Sequence, residues 1–340
     1  MMNFDCDLFS RYWHLACHRR ELAVHGDFIR FDSPLGEVVV FNDSGNIVAF
    51  DNRCPHRGAR IFLADHGNQP FYCEYHGWSF KNGKVLIPEA QSFSSCNVNL
   101  AKLKQYSVGW CGDFVFFSVD PMMALYEQLG AVAETLENIS FNIDLRSDFN
   151  RYKFECYWPL AIENALEPYH INMVHPETLA SLQLEKGVNE FFGVNSIWYA
   201  PVGNIRLKKN LERMSKFLSI DYKYDGYMSI YLFPFSMVSS TYGFSYSIQN
   251  FFPGSKDVNL TNFTSRLLTA AVVSEDARQV LKPFFESSAM VNRKVFEEDH
   301  SVCKRMPKNS WSSEPLVFFS DSEVKIQHFR DSCQRFMHSV

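Results

Sequence analysis

The stretch Asn52–Trp78, NRCPHRGARIFLADHGNQPFYCEYHGW, carries two short pairs of residues that can bind metal. Each pair joins one cysteine to one histidine: Cys54 with His56, and Cys73 with His76. Sixteen residues separate His56 from Cys73, so each pair can occupy a loop of its own. Two thiolates can hold one iron of a [2Fe–2S] cluster while two imidazoles hold the other. The stretch therefore predicts a cluster site built from two loops.

The alternative for these four residues is a zinc site, because zinc also accepts mixed cysteine and histidine ligands. Zinc motifs usually pair cysteine with cysteine and histidine with histidine. Here both short pairs are mixed. Pro55 and Gly77 lie beside the ligands and fit the tight turns of ligand-bearing loops. The pattern favours the iron–sulfur cluster.

With its CPHRG and CEYHGW segments, the chain resembles the Rieske non-haem iron oxygenases. The same cluster motif occurs in small electron-carrier ferredoxins, so the remainder of the chain has to distinguish the two. A lone Rieske domain needs only about a third of these 340 residues, and the length allows two domains and a large core.

Composition argues against several other classes of protein. The net charge of −5 gives no indication of a nucleic-acid-binding surface. No apolar run approaches the length of about eighteen residues expected of a membrane span, and the N-terminus lacks the features of a signal peptide. The nine cysteines are odd in number and irregularly spaced. We expect those outside the cluster to be reduced thiols of a cytoplasmic protein.

The hydrophobic pattern predicts three parts of the chain. Residues 1–27 are predicted to form a short helix and a turn, a helical segment that packs on the catalytic domain. Residues 28–120 alternate with a period of two and predict the all-β cluster domain. Residues 121–340 begin with a helical segment and continue with strand-rich sequence and a long helix. The resemblance implies an α+β fold, in which a helix-grip catalytic domain (a long helix on an antiparallel sheet) follows the Rieske [2Fe–2S] domain.

A second group of possible ligands follows Phe149, where a predicted strand leads into a predicted helix. His170 and His175 lie five residues apart, and Glu167 precedes the first histidine by three. Five residues rotate a regular helix by about 140°. The two side chains therefore converge only where the helix is distorted or ends between them. Taken alone, they are equally consistent with two unrelated histidines.

This segment also resembles the mononuclear iron motif of the same oxygenases, which has an acid, two spacers, a histidine, four spacers and a histidine. Glu167, His170 and His175 match it, and Glu163-Asn164 matches the Glu-Asn that often precedes it. The resemblance implies that the two histidines bind iron and that Asn164 and Glu167 take part in catalysis. It implies that Glu167 bridges His170 or His175 to a cluster histidine of a neighbouring subunit. The alternative is that Glu167 only holds His170 in one tautomer.

The third iron ligand is expected on the predicted helix at residues 274–306. Two histidines and one carboxylate form the facial triad of non-haem iron oxygenases, which leaves positions open for dioxygen and substrate. Glu298 and Asp299 flank the apolar stripe of this helix about equally, so periodicity does not choose between them. The resemblance implies Asp299, since the family ligand is the Asp of a Glu-Asp pair.

Together, the two motifs imply an oxygenase α-subunit that uses a [2Fe–2S] cluster, Fe(II) and O2. The resemblance implies a homo-oligomer, most often a trimer, in which the cluster of one subunit serves the iron of the next. The chain has no Gly-x-Gly-x-x-Gly fingerprint for a nicotinamide or flavin. NAD(P)H is therefore expected to act only through a separate reductase, with or without a ferredoxin.

The expected reaction is oxygenation of a small organic substrate, with monooxygenation or oxidative demethylation favoured over dihydroxylation. Two alternatives are a Rieske electron-transfer protein and a helix-grip protein that binds a ligand without chemistry. Six aromatic residues are candidates for the pocket wall and are equally suited to the core: Phe191, Phe192, Trp198, Phe233, Phe235 and Phe251. No cluster of basic residues indicates a carboxylated substrate.

Overall fold

The computed structural model describes residues 4–81, 83–307, 311 and 318–339. Within these residues the chain forms two seven-stranded antiparallel sheets, a small two-stranded sheet and several helices. An all-β part precedes a part in which helices pack on the second large sheet. The predicted α+β fold class is confirmed.

The first sheet has the strand order β1-β9-β8-β4-β3-β2-β5. Its strands are β1 His14–His18, β2 Asp27–Ser33, β3 Gly36–Asp43, β4 Asn46–Asp51, β5 His66–Asn68, β8 Gln105–Cys111 and β9 Phe114–Ser118. The two-stranded sheet consists of β6 Ser79–Lys81 and β7 Lys84–Leu86. Strand β3 lies inside the sheet, and its run from Val38 to Phe41 is buried throughout, which explains why these apolar residues do not alternate with polar ones.

The N-terminal segment differs from the sequence prediction. Helix α1, Phe4–Arg11, forms as expected, but His14–His18 is a strand that pairs with β9 instead of a turn. The prediction of a helix and a turn was therefore wrong for these residues, because both faces of this five-residue strand are buried and no alternation marks it. Helix α1 contacts the later part of the chain, since Asp5 accepts a hydrogen bond from the Trp158 indole at 2.8 Å. The boundaries proposed near residues 27 and 120 stay predictions.

The second sheet has the strand order β10-β16-β15-β14-β13-β12-β11, so most neighbours along the chain are also neighbours in the sheet. Its strands are β10 Ile143–Phe154, β11 Val188–Phe192, β12 Asn195–Ala200, β13 Tyr227–Leu232, β14 Ser236–Thr241, β15 Ser245–Pro253 and β16 Thr261–Ala270. The remaining helices are α2 Leu125–Leu129, α3 Val132–Ser140, α4 Trp158–Leu166, α5 Ile171–Val174, α6 Ile205–Ser215, α7 Glu275–Cys303 and α8 Val324–Ser339.

Helix α7 is the long helix that the helix-grip arrangement requires. It begins at Ser274, whose side chain accepts a hydrogen bond from the Ala277 N–H at 3.1 Å, a typical N-cap. Its inner face packs on the second sheet, with the Phe296 ring 4.7 Å from that of Phe263. This contact fixes the C-terminal half of α7, which includes Asp299, next to helices α4 and α5.

Candidate metal centres

The two cysteine–histidine loops share one backbone framework. In the first loop the Gly58 N–H donates to the Cys54 carbonyl at 2.9 Å, and the Cys54 N–H donates to the Ala59 carbonyl at 2.8 Å. The second loop repeats the first of these bonds, from the Gly77 N–H to the Cys73 carbonyl, also at 2.9 Å. Both glycines have a positive φ, +76° and +70°, which explains why glycine follows each ligand pair.

The framework brings the four predicted cluster ligands close together. Cys54 and Cys73 are buried, whereas His56 is half-buried and His76 is exposed. The two imidazole rings lie with their centroids 4.5 Å apart. Trp78 stacks on His56 at 4.8 Å and covers the inner side of the ring. The thiols therefore face the interior while the imidazoles lie towards the surface.

The chemistry of these four residues fits a [2Fe–2S] cluster. The backbone N–H groups of His56 and Arg57 hydrogen-bond to the Cys54 sulfur; burial nevertheless raises the pKa of this thiol. Such bonds favour a thiolate once a metal is bound. The Nδ1 atom of His56 is buried and has no hydrogen-bond partner among the described residues. A buried polar atom without a partner is costly, and ligation would remove that cost.

The second candidate centre is made possible by a break between helices α4 and α5. Glu167 follows the last residue of α4 and precedes Pro168, which disfavours helical backbone at the residue before it. Accordingly, Glu167 is extended, with φ −118° and ψ 143°. Helix α5 is a single turn flanked by His170 and His175. The regular helix thus ends before both histidines, and the interruption allows their side chains to converge.

The structure brings His170, His175 and Asp299 together. One possible ligand atom from each residue lies within 4.8 Å of the others. The Asp299 Oδ1 atom is 3.0 Å from His175 Nε2 and 3.5 Å from His170 Nε2, and the two Nε2 atoms are 3.2 Å apart. Asp299 is only 7% exposed although it sits on a surface helix. Two imidazoles and one carboxylate around a common point match the donor set of a facial triad.

Charge is strongly concentrated at this point. Burial alone would lower the pKa of His170, but hydrogen bonds to Asp299 and Glu167 outweigh it and raise the pKa to about 9. Burial alone would raise the pKa of Asp299, but the two histidines lower it to about 2. The carboxylate is therefore ionised at neutral pH and attracts positive charge, whether from protons on the imidazoles or from a cation.

Glu298 orients the His175 ring, a role that the sequence did not reveal. Its Oε2 atom accepts hydrogen bonds from His175 Nδ1 at 2.8 Å and from the Thr178 hydroxyl at 2.7 Å. This bond places the proton on Nδ1 and leaves Nε2 free to face Asp299. The sequence offered Glu298 only as a competing ligand. Neighbouring positions on a helix point about 100° apart, so Glu298 reaches the far side of the same imidazole.

Asn164 and Glu167 also contact the three converging residues. The Asn164 amide donates to Asp299 Oδ1 at 2.8 Å. Glu167 Oε1 lies 2.6 Å from His170 Nδ1, and Oε2 accepts from the backbone N–H of His170 at 3.2 Å. Both residues thus hold groups of the site from its outer side. Glu163, the neighbour of Asn164, instead pairs with Arg330 of α8 at 2.5 Å.

A cavity of about 340 Å³ opens beside the three converging residues and lies between α7 and the second sheet. Of the six aromatic candidates, Trp198 lines this cavity. Phe233, Phe235 and Phe251 are buried in the core, the alternative that the sequence left open for them. Phe191 packs on His328, with the two ring centroids 4.7 Å apart. Phe192 packs on a separate hydrophobic cluster. A period of two identifies residues that share a face, but not which face meets the cavity.

Comparison with known families matches both parts of the chain. The family model described as ring hydroxylating alpha subunit (catalytic domain) matches residues 144–339, more than half of the chain, and the Rieske [2Fe-2S] domain model matches residues 12–104. The chain belongs to the ring hydroxylating alpha subunit family. The Rieske match means a [2Fe–2S] cluster, and the catalytic match means a mononuclear Fe(II) that works with O2.

Curated relatives of this chain include two bacterial oxygenase subunits. The anthranilate 1,2-dioxygenase large subunit of Acinetobacter baylyi is 27% identical over 58% of this chain and 45% of its own length. The glycine betaine monooxygenase oxygenase subunit of Chromohalobacter salexigens is 30% identical over 52% of this chain and 40% of its own length. The chain thus spans less than half the length of these relatives.

Solved structures show the same fold at lower identity. A quaternary ammonium Rieske monooxygenase in complex with L-carnitine superposes with a TM-score of 0.74 at 19% identity, over 97% of this chain and 90% of the other. Naphthalene 1,2-dioxygenase from Rhodococcus sp. gives a TM-score of 0.70 at 17% identity, over 97% and 90% of the two chains. These likenesses concern the fold alone.

Two further observations bear on the sequence predictions. In the part of the chain that the structure describes, no helix has both the length and the apolar character needed to cross a bilayer. All nine cysteines are free, and seven of them are buried: the cluster pair Cys54 and Cys73, and five others. The five others pack as ordinary apolar groups; they are Cys17, Cys111, Cys156, Cys303 and Cys333.

Proposed function

We propose that this chain is the oxygenase component of a Rieske-type system. It takes electrons from a separate reductase, directly or through a ferredoxin, and uses O2 at a mononuclear Fe(II) to oxygenate a small organic substrate. The observation that carries this proposal is the convergence of His170, His175 and Asp299 on the wall of a cavity. A chain that only transfers electrons or only binds a ligand needs no such set of donors beside a cavity.

The residues of this chain divide the work between the two centres. When bound, the cluster supplies electrons and the Fe(II) supplies the reaction with O2. Cys54, Cys73, His56 and His76 would hold the cluster, and the facial triad would hold the iron with positions left open. Glu298 fixes the His175 ring from behind. The cavity walls hold the substrate beside the iron and exclude bulk water.

Monooxygenation, including oxidative demethylation, is favoured over dihydroxylation. Curated relatives include glycine betaine and carnitine monooxygenase oxygenase subunits as well as the large subunit of anthranilate 1,2-dioxygenase. The fold likeness to a quaternary ammonium monooxygenase extends over nearly the whole chain. These similarities support a monooxygenase without naming its substrate.

The proposal includes a cytoplasmic homo-oligomer, most simply a trimer. The cluster histidines of one subunit would meet the Glu167 side of the next, where Glu167 already contacts His170. Exposure of His76 at the surface supports such a contact. The nine free cysteines support a reducing compartment.

The test is oxygen uptake by the purified, iron-loaded protein with a reductase, NADH and a panel of candidate substrates. We expect substrate-dependent uptake and three irons per chain, two in the cluster and one in the mononuclear site. His175→Ala should retain the cluster and lose turnover. His338→Ala, at an exposed position on α8, should retain both the cluster and turnover.

The alternatives predict different results. An electron carrier would contain two irons per chain, and His175→Ala would transfer electrons as well as the unsubstituted protein. A ligand-binding protein without chemistry would show no reductant-dependent oxygen uptake with any substrate. Full turnover by His175→Ala would reject the oxygenase assignment.

A further inference from the structure

The sheet side of the cavity carries a row of serines. Ser229 on β13 pairs with Ser239 on β14, and Ser239 pairs with Ser247 on β15. Directly paired residues place their side chains on the same face of a sheet, about 5 Å apart. All three serines line the cavity. Their hydroxyl groups therefore form a continuous polar strip along the sheet side of the cavity.

An amide from the next row holds two of these serines in place. Gln249 lies two positions along β15 from Ser247, so its side chain is on the same face. Its Nε2 atom donates to the Ser239 hydroxyl at 3.1 Å and to the Ser247 hydroxyl at 3.2 Å. Among the described residues, the Ser247 hydroxyl only accepts, from Gln249, and the Ser229 hydroxyl has no side-chain partner. Both groups can therefore bond to a molecule in the cavity.

The opposite wall has a different character. Besides Asp299, helix α7 lines the cavity with apolar Phe284, Val291, Val295 and Phe296 and with polar Ser287, Ser288 and Asn292. Two of these polar groups are already bonded, because the Ser288 hydroxyl donates to the Phe284 carbonyl and the Asn292 amide donates to the Ser265 hydroxyl, both at 2.9 Å. The α7 side therefore offers a ligand mainly apolar contacts, whereas the sheet side offers the serine strip. A ligand that fits both sides must itself have two unlike faces.

Charged groups of a ligand would find no counter-ion in the described lining. It contains no lysine or arginine, so a carboxylate or phosphate has no cationic partner. Its carboxylates are Glu167 and Asp299, and both are already engaged: Glu167 with His170, and Asp299 with both histidines and Asn164. Moving an ionised group from water into such a site carries a desolvation cost that no free counter-ion in the described lining repays.

We infer that the substrate of this site is an uncharged molecule that carries hydroxyl or carbonyl groups along one face and is apolar on the other. This inference rests on the proposed function, because it assumes that the cavity beside the iron ligands is the substrate site. A hydroxyl left facing an apolar ligand loses its bonds to water, which lowers affinity by about tenfold for each group. The serine strip therefore discriminates against plain hydrocarbons as well as against ions.

Binding of four probes on one carbon skeleton tests the inference. The probes are 2,7-dihydroxynaphthalene, whose two hydroxyl groups lie on the same edge, naphthalene, 1-naphthoate and (1-naphthylmethyl)trimethylammonium, measured by equilibrium dialysis against the anaerobic, metal-loaded protein without reductase. We expect the diol to bind at least tenfold more tightly than each of the other three. Tightest binding by naphthalene or by either ion would overturn the inference.

Variants locate the preference at the serine strip. Ser247→Ala should lower the affinity ratio of diol to naphthalene by about tenfold. Ser196→Ala is the matched control, because Ser196 is buried on the same sheet but is not among the cavity-lining residues. It should leave the ratio unchanged. Ser229→Ala serves as a second strip variant if Ser247→Ala does not fold. An unchanged ratio in a folded strip variant would also overturn the inference.

The experiments distinguish a failure of the proposed oxygenase function from a failure of the inferred substrate class. Dialysis without reductase or O2 measures binding alone. Selective diol binding without oxygen uptake would reject the proposed function and keep the preference of the cavity. Oxygen uptake with a charged or purely apolar substrate would keep the oxygenase and reject the inferred substrate class.

Discussion

Glu298 is the residue whose contribution can be tested most directly. Its carboxylate accepts a hydrogen bond from His175 Nδ1, and such outer partners of ligating histidines typically change metal affinity by about 10–100-fold. We expect Glu298→Gln to weaken iron binding within this range, because the amide can keep the contact but lacks the charge. Competition with a chelator, followed by iron analysis, measures the effect.

The matched control for this substitution is Glu297→Gln. Glu297 is the preceding residue of α7 and bonds to the Tyr152 hydroxyl at 3.2 Å instead of to a histidine of the site. Its iron affinity should equal that of the unsubstituted protein. Equal iron affinity in all three proteins would show that Glu298 does not orient His175.

Glu167 can be tested for the electron path between subunits. Glu167→Ala should retain the cluster, and it should retain the mononuclear iron when iron is supplied in excess, because loss of the outer partner of His170 weakens iron binding by about 10–100-fold without removing a ligand. If Glu167 bridges two subunits, turnover should fall by about a hundredfold or more, and the reduced cluster should stay reduced when substrate and O2 are added. Rapid-mixing absorption spectroscopy of the cluster measures this step.

A second acid from the same region provides the control for Glu167. Glu177 is exposed and pairs with Lys294 at 2.5 Å, so Glu177→Ala removes a nearby charge without touching His170. Its turnover should stay close to that of the unsubstituted protein. Normal oxidation of the cluster in Glu167→Ala would leave this residue with the single role of orienting His170.

At the scale of residues, the sequence was most informative where chemistry fixes a spacing. Cys54, His56, Cys73 and His76 could be proposed together because two short mixed pairs have few other uses. The choice between Glu298 and Asp299 was beyond the sequence alone. Adjacent helical positions flank the same stripe, and only the packing of α7 shows that Asp299 turns inward. The orienting role of Glu298 likewise depends on a contact between distant segments.

Among the elements, strand β1 should make the stability of the fold depend on pH. His14 and His18 lie at its two ends and are both buried. Burial lowers the pKa of His14 to about 4 and that of His18 to about 3, the latter with help from Arg20 and Arg19. Both values are below the usual value of about 6.5 for an unfolded chain. The unfolded chain therefore binds more protons than the folded one in the window below pH 6.5.

Stability should accordingly be full above pH 6.5 and fall as the pH is lowered towards 4. Between pH 6.5 and 5 each histidine should cost about 2 kcal/mol of the free energy of unfolding. Thermal melts at pH 7, 6 and 5 measure the loss, and the Tm of His18→Gln should fall less steeply than that of the unsubstituted protein. His25→Gln, at an exposed position, is the control. Parallel pH dependence in all three proteins would contradict the assignment.

Elements were predictable where their pattern is local. The antiparallel second sheet and the long helix follow from alternation and from an amphipathic stripe, whereas β1 was missed because it is buried on both faces. The interruption after α4 was foreseen in part, since two histidines five residues apart converge only where a helix is distorted or ends. The end was expected between the histidines, whereas α4 ends before both of them, at the residue that precedes Glu167 and Pro168. The polar side of the cavity was not foreseen, because the serines line up only when three strands are paired.

At the scale of the whole molecule, the two sheets are joined through a buried ion pair. Glu21 lies between β1 and β2 of the first sheet, and Arg266 lies on β16 of the second; their side chains are both fully buried, with Arg266 Nε 3.4 Å from Glu21 Oε1. Removal of one partner from such a pair is strongly destabilising, because the other charge stays buried. The sequence contains no local signal for this pair, since its members lie far apart along the chain.

Electron transfer between the subunits of the proposed ring can be tested with mixed trimers. Cys73→Ser should lose the cluster, and His175→Ala should lose the mononuclear iron, so neither variant should turn over alone. In a head-to-tail trimer that contains both, one junction joins an intact cluster to an intact iron site. Mixed trimers, isolated through a different tag on each variant, should therefore regain about a third of the activity of the unsubstituted protein. Transfer within one chain predicts no recovery at all. Each mixed trimer has one interface at which an intact cluster meets an intact iron site. Inactive mixed trimers that contain both kinds of metal centre would therefore reject electron transfer between subunits.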